Sequence, residues 1–236
     1  MRYRVQVLGW ALIWSGLFVF GYIGWQLYGT DLVNAGIQAE ASEQLEVVLD
    51  DVEPEADSVN SVDFLDPGQE RPAELPELVE FFPEEPVEVG ESFAFLTIPK
   101  IGIEGLVVYQ GVDRDTLKNG PGHMASTALP GQPGNSVLSG HRTTYGRPFF
   151  DFDLLELGDR VEVESTTGAH VYEVREIQIV QPTDVWVTES RPGGWLTMTT
   201  CNPKFSARER LVVWAEMVEG PNLEYVNLHK AKFAEA

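Results

Sequence analysis

The chain has 236 residues and a formal net charge of −21, and that charge is unevenly spread. Residues 31–91 carry 19 acidic residues and one basic residue, Arg71, whereas residues 92–236 carry 18 acidic and 13 basic. No segment can present the positively charged face that nucleic-acid binding requires, so the expected partners include no nucleic acid, and the length allows one or two domains.

The chain opens with Arg2 and Arg4, followed by an uncharged run that reaches from Val7 to Tyr28. At 1.5 Å per residue the run crosses a hydrocarbon core of roughly 30 Å, and Trp10, Trp25 and Tyr28 lie near its ends, where aromatic rings favour the interface. It exceeds the roughly 7–15 apolar residues of a cleaved signal peptide, and the small-x-small sequence Ala39-Glu40-Ala41 lies far downstream. Residues 7–28 therefore read as a retained single-pass membrane anchor. Arginines before it and acids after it put residues 1–6 in the cytoplasm and the bulk of the chain outside the cell.

Residues 29–92 read as an acidic, largely disordered linker. A short helix is expected over 31–50, with Leu45, Val47, Val48 and Leu49 as its apolar part. From 51 to 92 Glu, Asp and Pro dominate without an apolar period, and such a segment cannot offset its ordering entropy. Coil scaling gives roughly 45 Å for 60 such residues, and like charges stretch it further. Phe81-Phe82 and Val87 to Val89 are candidates to pack on the domain that follows.

From residue 93 to 219 the pattern changes to short β runs. Phe93 to Ile98, Ile103 to Tyr109, Ser136 to Ser139, Val161 to Glu164, Val171 to Val180, Val185 to Val187, Leu196 to Cys201 and Leu211 to Ala215 read as strands. Asp113 to Asn119 and Phe149 to Leu157 read as helical turns, Asp113 being a possible cap. Seven or eight short strands with few helices favour a barrel or a sandwich. Residues 220–236 form a tail of weak helical potential.

The only cysteine, Cys201, ends the run Trp195-Leu196-Thr197-Met198-Thr199-Thr200-Cys201, which Asn202-Pro203 terminates. Free cysteine is often a small buried hydrophobe, but an exported protein usually pairs its thiols. A single one is either an intermolecular link or reactive. A thiolate needs an imidazole nearby, because a free thiol near pKa 8.5 supplies little anion at neutral pH. Of four histidines, His170 reads as a surface residue, His229 lies in the tail and His123 shapes a loop. His141 ends a strand and heads the polar loop Gly140-His141-Arg142-Thr143-Thr144-Tyr145-Gly146, which makes it the candidate. An oxyanion donor completes such a site. Both Arg208 and Arg210, just before the strand Leu211 to Trp214, are within reach, and spacing does not choose between them.

Thr197-Met198-Thr199-Thr200-Cys201 resembles the T-L-x-T-C pattern of the sortase family, with Met198 where Leu is usual. The loop 140–146 resembles the histidine loop of class E, housekeeping-type sortases of Gram-positive actinobacteria. Leu96 to Ile101 and Gly120-Pro121-Gly122-His123 look like two further sortase landmarks. The resemblance implies a mainly β fold, a closed eight-stranded barrel with a few short helices, behind the anchor and linker. It implies a catalytic triad of His141, Cys201 and Arg210, with Thr200 lining the site. It implies a cysteine transpeptidase that cuts an LAxTG- or LPxTG-like sorting motif between Thr and Gly through a thioester. The acyl group then passes to an amine of a lipid II-type cell-wall precursor or to a pilin lysine. Tyr145 is the candidate for shaping motif preference. No cofactor is implied.

A pilin-polymerising enzyme is the nearest alternative, but Asp66-Pro67-Gly68 lacks the aromatic of an Asp-Pro-aromatic lid. A different class is an envelope binding module whose cysteine is merely buried. The scattered histidines lack metal-ligand spacing, and Asp151, Asp153 and Glu156 read as a solvated face rather than a calcium site.

Overall fold

A computed structural model describes residues 2–52, 57–60 and 78–234. Helix α1, Arg2–Gly24, contains a stretch from Tyr3 to Gly24 that is long and apolar enough to cross a membrane, and none of its apolar window is buried against the rest of the chain. A π-helical turn, Trp25–Gly29, leads into α2, Thr30–Asp51. Two short strands, β1 (Asp57–Asn60) and β2 (Leu78–Phe81), pair with each other.

Eight strands then close into a barrel: β3 (Ser92–Ile98), β4 (Ile103–Gln110), β5 (Gly122–His123), β6 (Gly134–Ser139), β7 (Arg160–Ser165), β8 (Gly168–Val180), β9 (Gly194–Asn202) and β10 (Glu209–Glu219). Around the barrel the order is β10-β8-β7-β3-β4-β5-β6-β9. Most neighbours are antiparallel, but β4 with β5 and β6 with β9 are parallel. This is the closed eight-stranded barrel expected from the resemblance. Helix α3, Leu223–Ala234, follows β10.

Strand alternation fills the interior. Leu96 and Ile98, Val161 and Val163, Tyr172 and Val174, Leu196 and Met198, and Leu211, Val213 and Ala215 form one buried cluster. The opposite faces carry two satellite clusters. Phe95, Val107 and Tyr109 lie under α2, against Ala41 and Leu45. Val212 and Trp214 lie under Val180 and Val187.

The run Val185 to Val187 was expected to be a strand and is instead a 3₁₀ turn, Val185–Thr188, whose Trp186 stacks on Trp214 at 5.8 Å between ring centroids. Trp186 and Val187 cover the barrel wall at Trp214, a role that hydropathy does not distinguish from a strand. His170 also departs from expectation. It is buried, because it shares the inward face of β8 with Tyr172 and Val174, and Gly131 and Gly220 leave room for its ring. Burial pushes its pKa down to about 4.

Much of the supposed linker is folded onto the barrel. In α2 the stripe Asn34, Gln38, Ala41, Leu45, Leu49 has helical spacing. Asn34, Ala41 and Leu45 are buried, while Val47 and Val48 face outward. The stripe begins with amides rather than apolar side chains, so its length is invisible to hydropathy. Gln38 donates to the carbonyl of Val107 (3.2 Å) and accepts from its N–H (2.9 Å). Strand β5 is only two residues long and pairs beside Tyr109 and Gln110, so Gln38 stands in for a strand at Val107. The approach to β3 is tied down too. Phe81 stacks on Tyr225 at 4.1 Å, and Glu84 accepts from the hydroxyls of Thr166 (2.7 Å) and Thr167 (2.9 Å). Val87 packs on the core, whereas Val89 is exposed. The rest of the expected linker, residues 53–56 and 61–77 with Asp66-Pro67-Gly68, lies outside the described residues.

Candidate active site

Strand β9 lies between β6 and β10, and the candidate residues meet at one end of these three strands. Cys201 pairs directly with Arg210 across the antiparallel β9–β10 ladder. Directly opposed residues share a face, with Cβ atoms about 4.5–5.5 Å apart. Leu196 and Met198 point into the barrel, so alternation turns Cys201 and Arg210 to the outer surface. The thiol is partly exposed there.

On the other side, β6 runs parallel to β9 with Ser139 beside Thr199. The ladder continues one step further, because the N–H of Gly140 donates to the carbonyl of Thr199 at 3.1 Å. The hydroxyl of Thr200 donates to the carbonyl of Gly140 at 2.8 Å. His141 is the next residue, two positions past the end of β6, just as Cys201 lies two positions past Thr199, the partner of Ser139. Burial of its ring lowers the His141 pKa below the ordinary histidine value, which favours the neutral imidazole that can take a proton. The ring lies 5.0 Å from that of Tyr145.

Of the two candidate arginines, the ladder brings only Arg210 to the cysteine. Arg208 precedes β10, with a side chain 74% exposed and paired to Glu209. Arg210 donates to the carbonyls of Ala207 (3.1 Å) and Glu209 (2.9 Å), which fixes its guanidinium over the strand end. Thr200 is buried and holds the histidine loop from beneath.

Residue-type reasoning did not single out Arg142, although it follows His141 directly. It is buried. Its guanidinium donates to the carbonyl of Cys201 (3.2 Å), the side-chain oxygen of Asn202 (2.8 Å) and the carbonyl of Phe150 (3.4 Å), and pairs with Asp153 at 2.8 Å. A buried guanidinium needs such a fork of acceptors, and here it ties the loop of His141 to the strand of Cys201. A basic residue in a polar loop carries no local signal of that role, because its partners lie elsewhere in the chain.

The acids weighed as a calcium site are paired with cations. Lys204 lies 3.1 Å from both Asp151 and Asp153, and Lys100 lies 2.8 Å from Glu156. Among the described residues, no group of three or more His, Cys, Asp and Glu side chains is gathered for a metal.

A half-exposed thiol, a partly desolvated imidazole and a guanidinium at one strand end define a cysteine-centred site on a barrel wall. The family model of the sortase domain matches residues 96–218, and the chain belongs to the sortase family. It is similar to sortase SrtE1 of Streptomyces coelicolor, with 36% identity over 151 residues, 56% of this chain and 42% of that protein. It is also similar to sortase D of Bacillus subtilis, with 35% identity over 56% of this chain and 66% of that protein. The chain thus spans less than two thirds of the length of either. Among solved structures, sortase E of Streptomyces avermitilis superposes with a TM-score of 0.52 and 38% identity, over 56% of this chain and 91% of that one. The likeness is to class E.

Proposed function

We propose that the chain is a membrane-anchored cysteine transpeptidase that cuts an LAxTG- or LPxTG-like sorting motif between Thr and Gly. The observation that supports it best is that the β9–β10 register opposes Cys201 to Arg210, while β6, which runs beside β9, ends two residues before His141. The Cys201 thiol passes its proton to His141 and attacks the Thr carbonyl as the thiolate. Arg210 donates to the developing oxyanion, which gains most in the transition state. Collapse breaks the Thr–Gly bond, and imidazolium His141 protonates the departing glycine amine. The resulting thioester is then attacked by an acceptor amine, which loses its proton to His141 as the carbon–sulfur bond breaks. Thr200 supports the loop from below, and Tyr145, beside His141, shapes the choice of motif.

Residues 93–219 are the catalytic domain, 7–28 the anchor and 1–6 its cytoplasmic end, with the domain outside the cell; residues 29–92 join anchor to domain and 220–236 close the chain. The acceptor is a lipid II-type amine, and the acyl donors are secreted proteins bearing the motif. The first turn of α2, only a five-residue turn beyond α1, already touches the histidine loop. That reach is about 10 Å of chain, which supports an acceptor held at the membrane surface. The partial exposure of the thiol does not favour the binding-module alternative.

Quenched L-A-x-T-G and L-P-x-T-G peptides supplied with an amine test the proposal. The wild type should form peptide–amine product, faster with the alanine peptide, and Cys201→Ala should form none. A folded wild type that makes no product from either peptide would overturn it, and equal turnover of the two peptides would remove the motif preference.

A further inference from the structure

The loop that carries His141 does not rest in a relaxed conformation. Tyr145 and Arg147 both have positive φ, 53° and 51°, with Gly146 between them at 76°. Two non-glycine residues in the left-handed region within three positions are costly, and such geometry persists only where the surroundings impose it.

The surroundings here belong to α2. The N–H of Tyr145 donates to the hydroxyl of Thr30 at 3.3 Å. The N–H of Gly146 donates to one carboxylate oxygen of Asp31 at 3.0 Å, and the other oxygen pairs with Arg147 at 2.9 Å. All three residues of the strained stretch are therefore gripped by two consecutive residues of one helix turn. Asn34, one turn on, packs so closely on Gly146 that a Cβ there would fall 2.0 Å from its side-chain oxygen. Asn34 also donates to the carbonyls of Lys118 (2.9 Å) and Asn119 (2.8 Å), which fixes the helix to the barrel. The rings of Tyr145 and His141 touch, so the grip on residues 145–147 reaches the imidazole.

We infer that Thr30, Asp31 and Asn34 are positioning residues of the active site: the helix emerging from the membrane span clamps the histidine loop and sets the placement of His141. The inference rests on the proposed transpeptidase reading for its kinetic consequence, but its structural half stands without it. Asp31 touches neither thiol nor imidazole. It acts by holding a strained loop whose relaxation would carry His141 away from Cys201, and a misplacement of about 1 Å is enough to cost up to about 100-fold in rate.

The test uses the full-length chain in detergent micelles, with Asp31→Ala, Asp31→Asn and Thr30→Val. The first readout is hydrogen exchange. Asp31→Ala should raise the exchange rate of the segment 141–147 by about 10-fold or more and leave β9 and β10 protected. Asp31→Asn, which keeps an oxygen for the Gly146 N–H, should raise it less. The second readout is peptide transfer. Asp31→Ala should lower kcat by about 10- to 100-fold with KM within about twofold, Thr30→Val less, and Asp31→Asn should recover part of the loss. Unchanged exchange in Asp31→Ala overturns the clamp, as does unchanged kcat. So does an equal fall in all three variants that tracks only a fall in melting temperature. A wild type that turns over no peptide overturns the transpeptidase reading instead, and the exchange result then decides the clamp by itself.

Discussion

The two halves of the site are built in opposite ways. The cysteine half is a backbone ladder: Cys201 and Arg210 are opposed in a run of eight consecutive register pairs between β9 and β10. Main-chain hydrogen bonds fix their relation, and the inward-facing Leu196, Met198, Leu211 and Val213 hold the register. The histidine half is a loop with strained backbone, tied by side chains to distant parts of the chain: Arg142 of the loop itself to Cys201 and Asn202, and Thr30, Asp31 and Asn34 of α2 to residues 145–147. A rigid wall presents the proposed nucleophile, and a tethered loop presents the proposed proton carrier. Substitutions on the wall should therefore act through chemistry, and substitutions around the loop through placement.

The largest expected effect lies on the wall. Cys201→Ala removes the atom proposed to form the thioester and should lower transfer by at least about 1,000-fold. Because the ladder does not depend on the side chain, stability should stay within about 0.5 kcal/mol of wild type, which a urea titration checks. Arg210→Ala should come next, with kcat down by about 100- to 1,000-fold, the usual cost of losing an oxyanion donor. Arg208→Ala, on an exposed side chain ahead of the same strand, should leave kcat within about twofold. Equal losses from the two arginines would break the ladder argument.

The barrel core behind both halves supplies a pH control. Buried His170 has its pKa pushed down to about 4, below the ordinary 6.5. The unfolded chain therefore binds a proton as pH falls through 6.5 while the folded chain does not until about 4, so stability is lost as pH falls across that window. The loss should reach about 3 kcal/mol. His170→Leu should flatten this part of the stability–pH curve, whatever its effect at neutral pH.

A substitution in the loop sharpens the comparison most. Arg142→Ala leaves the Cys201 carbonyl without its guanidinium donor and should cost about 1–3 kcal/mol of stability. It should also lower kcat more than it raises KM, since it loosens the loop and not the wall. A loss confined to KM would place Arg142 in substrate binding instead.

This division also explains what could be seen in the sequence. The wall was legible because alternation is a local signal: Leu196 and Met198 inward, Cys201 outward, with a β-branched threonine between them. The pairing of Cys201 with Arg210 rather than Arg208 was not legible from spacing, because register is set by the whole ladder; the family resemblance supplied the choice. The tethered half was poorly legible. Contacts from Thr30 and Asp31 to residues 145–147 cross more than 110 positions, and polar side chains carry them. Hydropathy therefore marked α2 only at Leu45 to Leu49 and missed its amide-led stripe. Arg142 looked like part of a solvated loop because nothing local announces that Asp153 and two carbonyls converge on it. His170 looked exposed because a histidine beside a glycine turn resembles a surface residue until β8 is placed in the barrel.

The most direct test of the account is intact-mass spectrometry of the full-length chain incubated with an L-A-x-T-G peptide and no amine. The expected result is an adduct equal to the peptide cut after Thr, mapped to Cys201. It should be absent in Cys201→Ala and discharged as an amide when an amine is added. A folded wild-type chain that carries no such adduct, although a thiol reagent modifies Cys201 readily, would contradict the central claim that this cysteine is an acyl-transfer nucleophile.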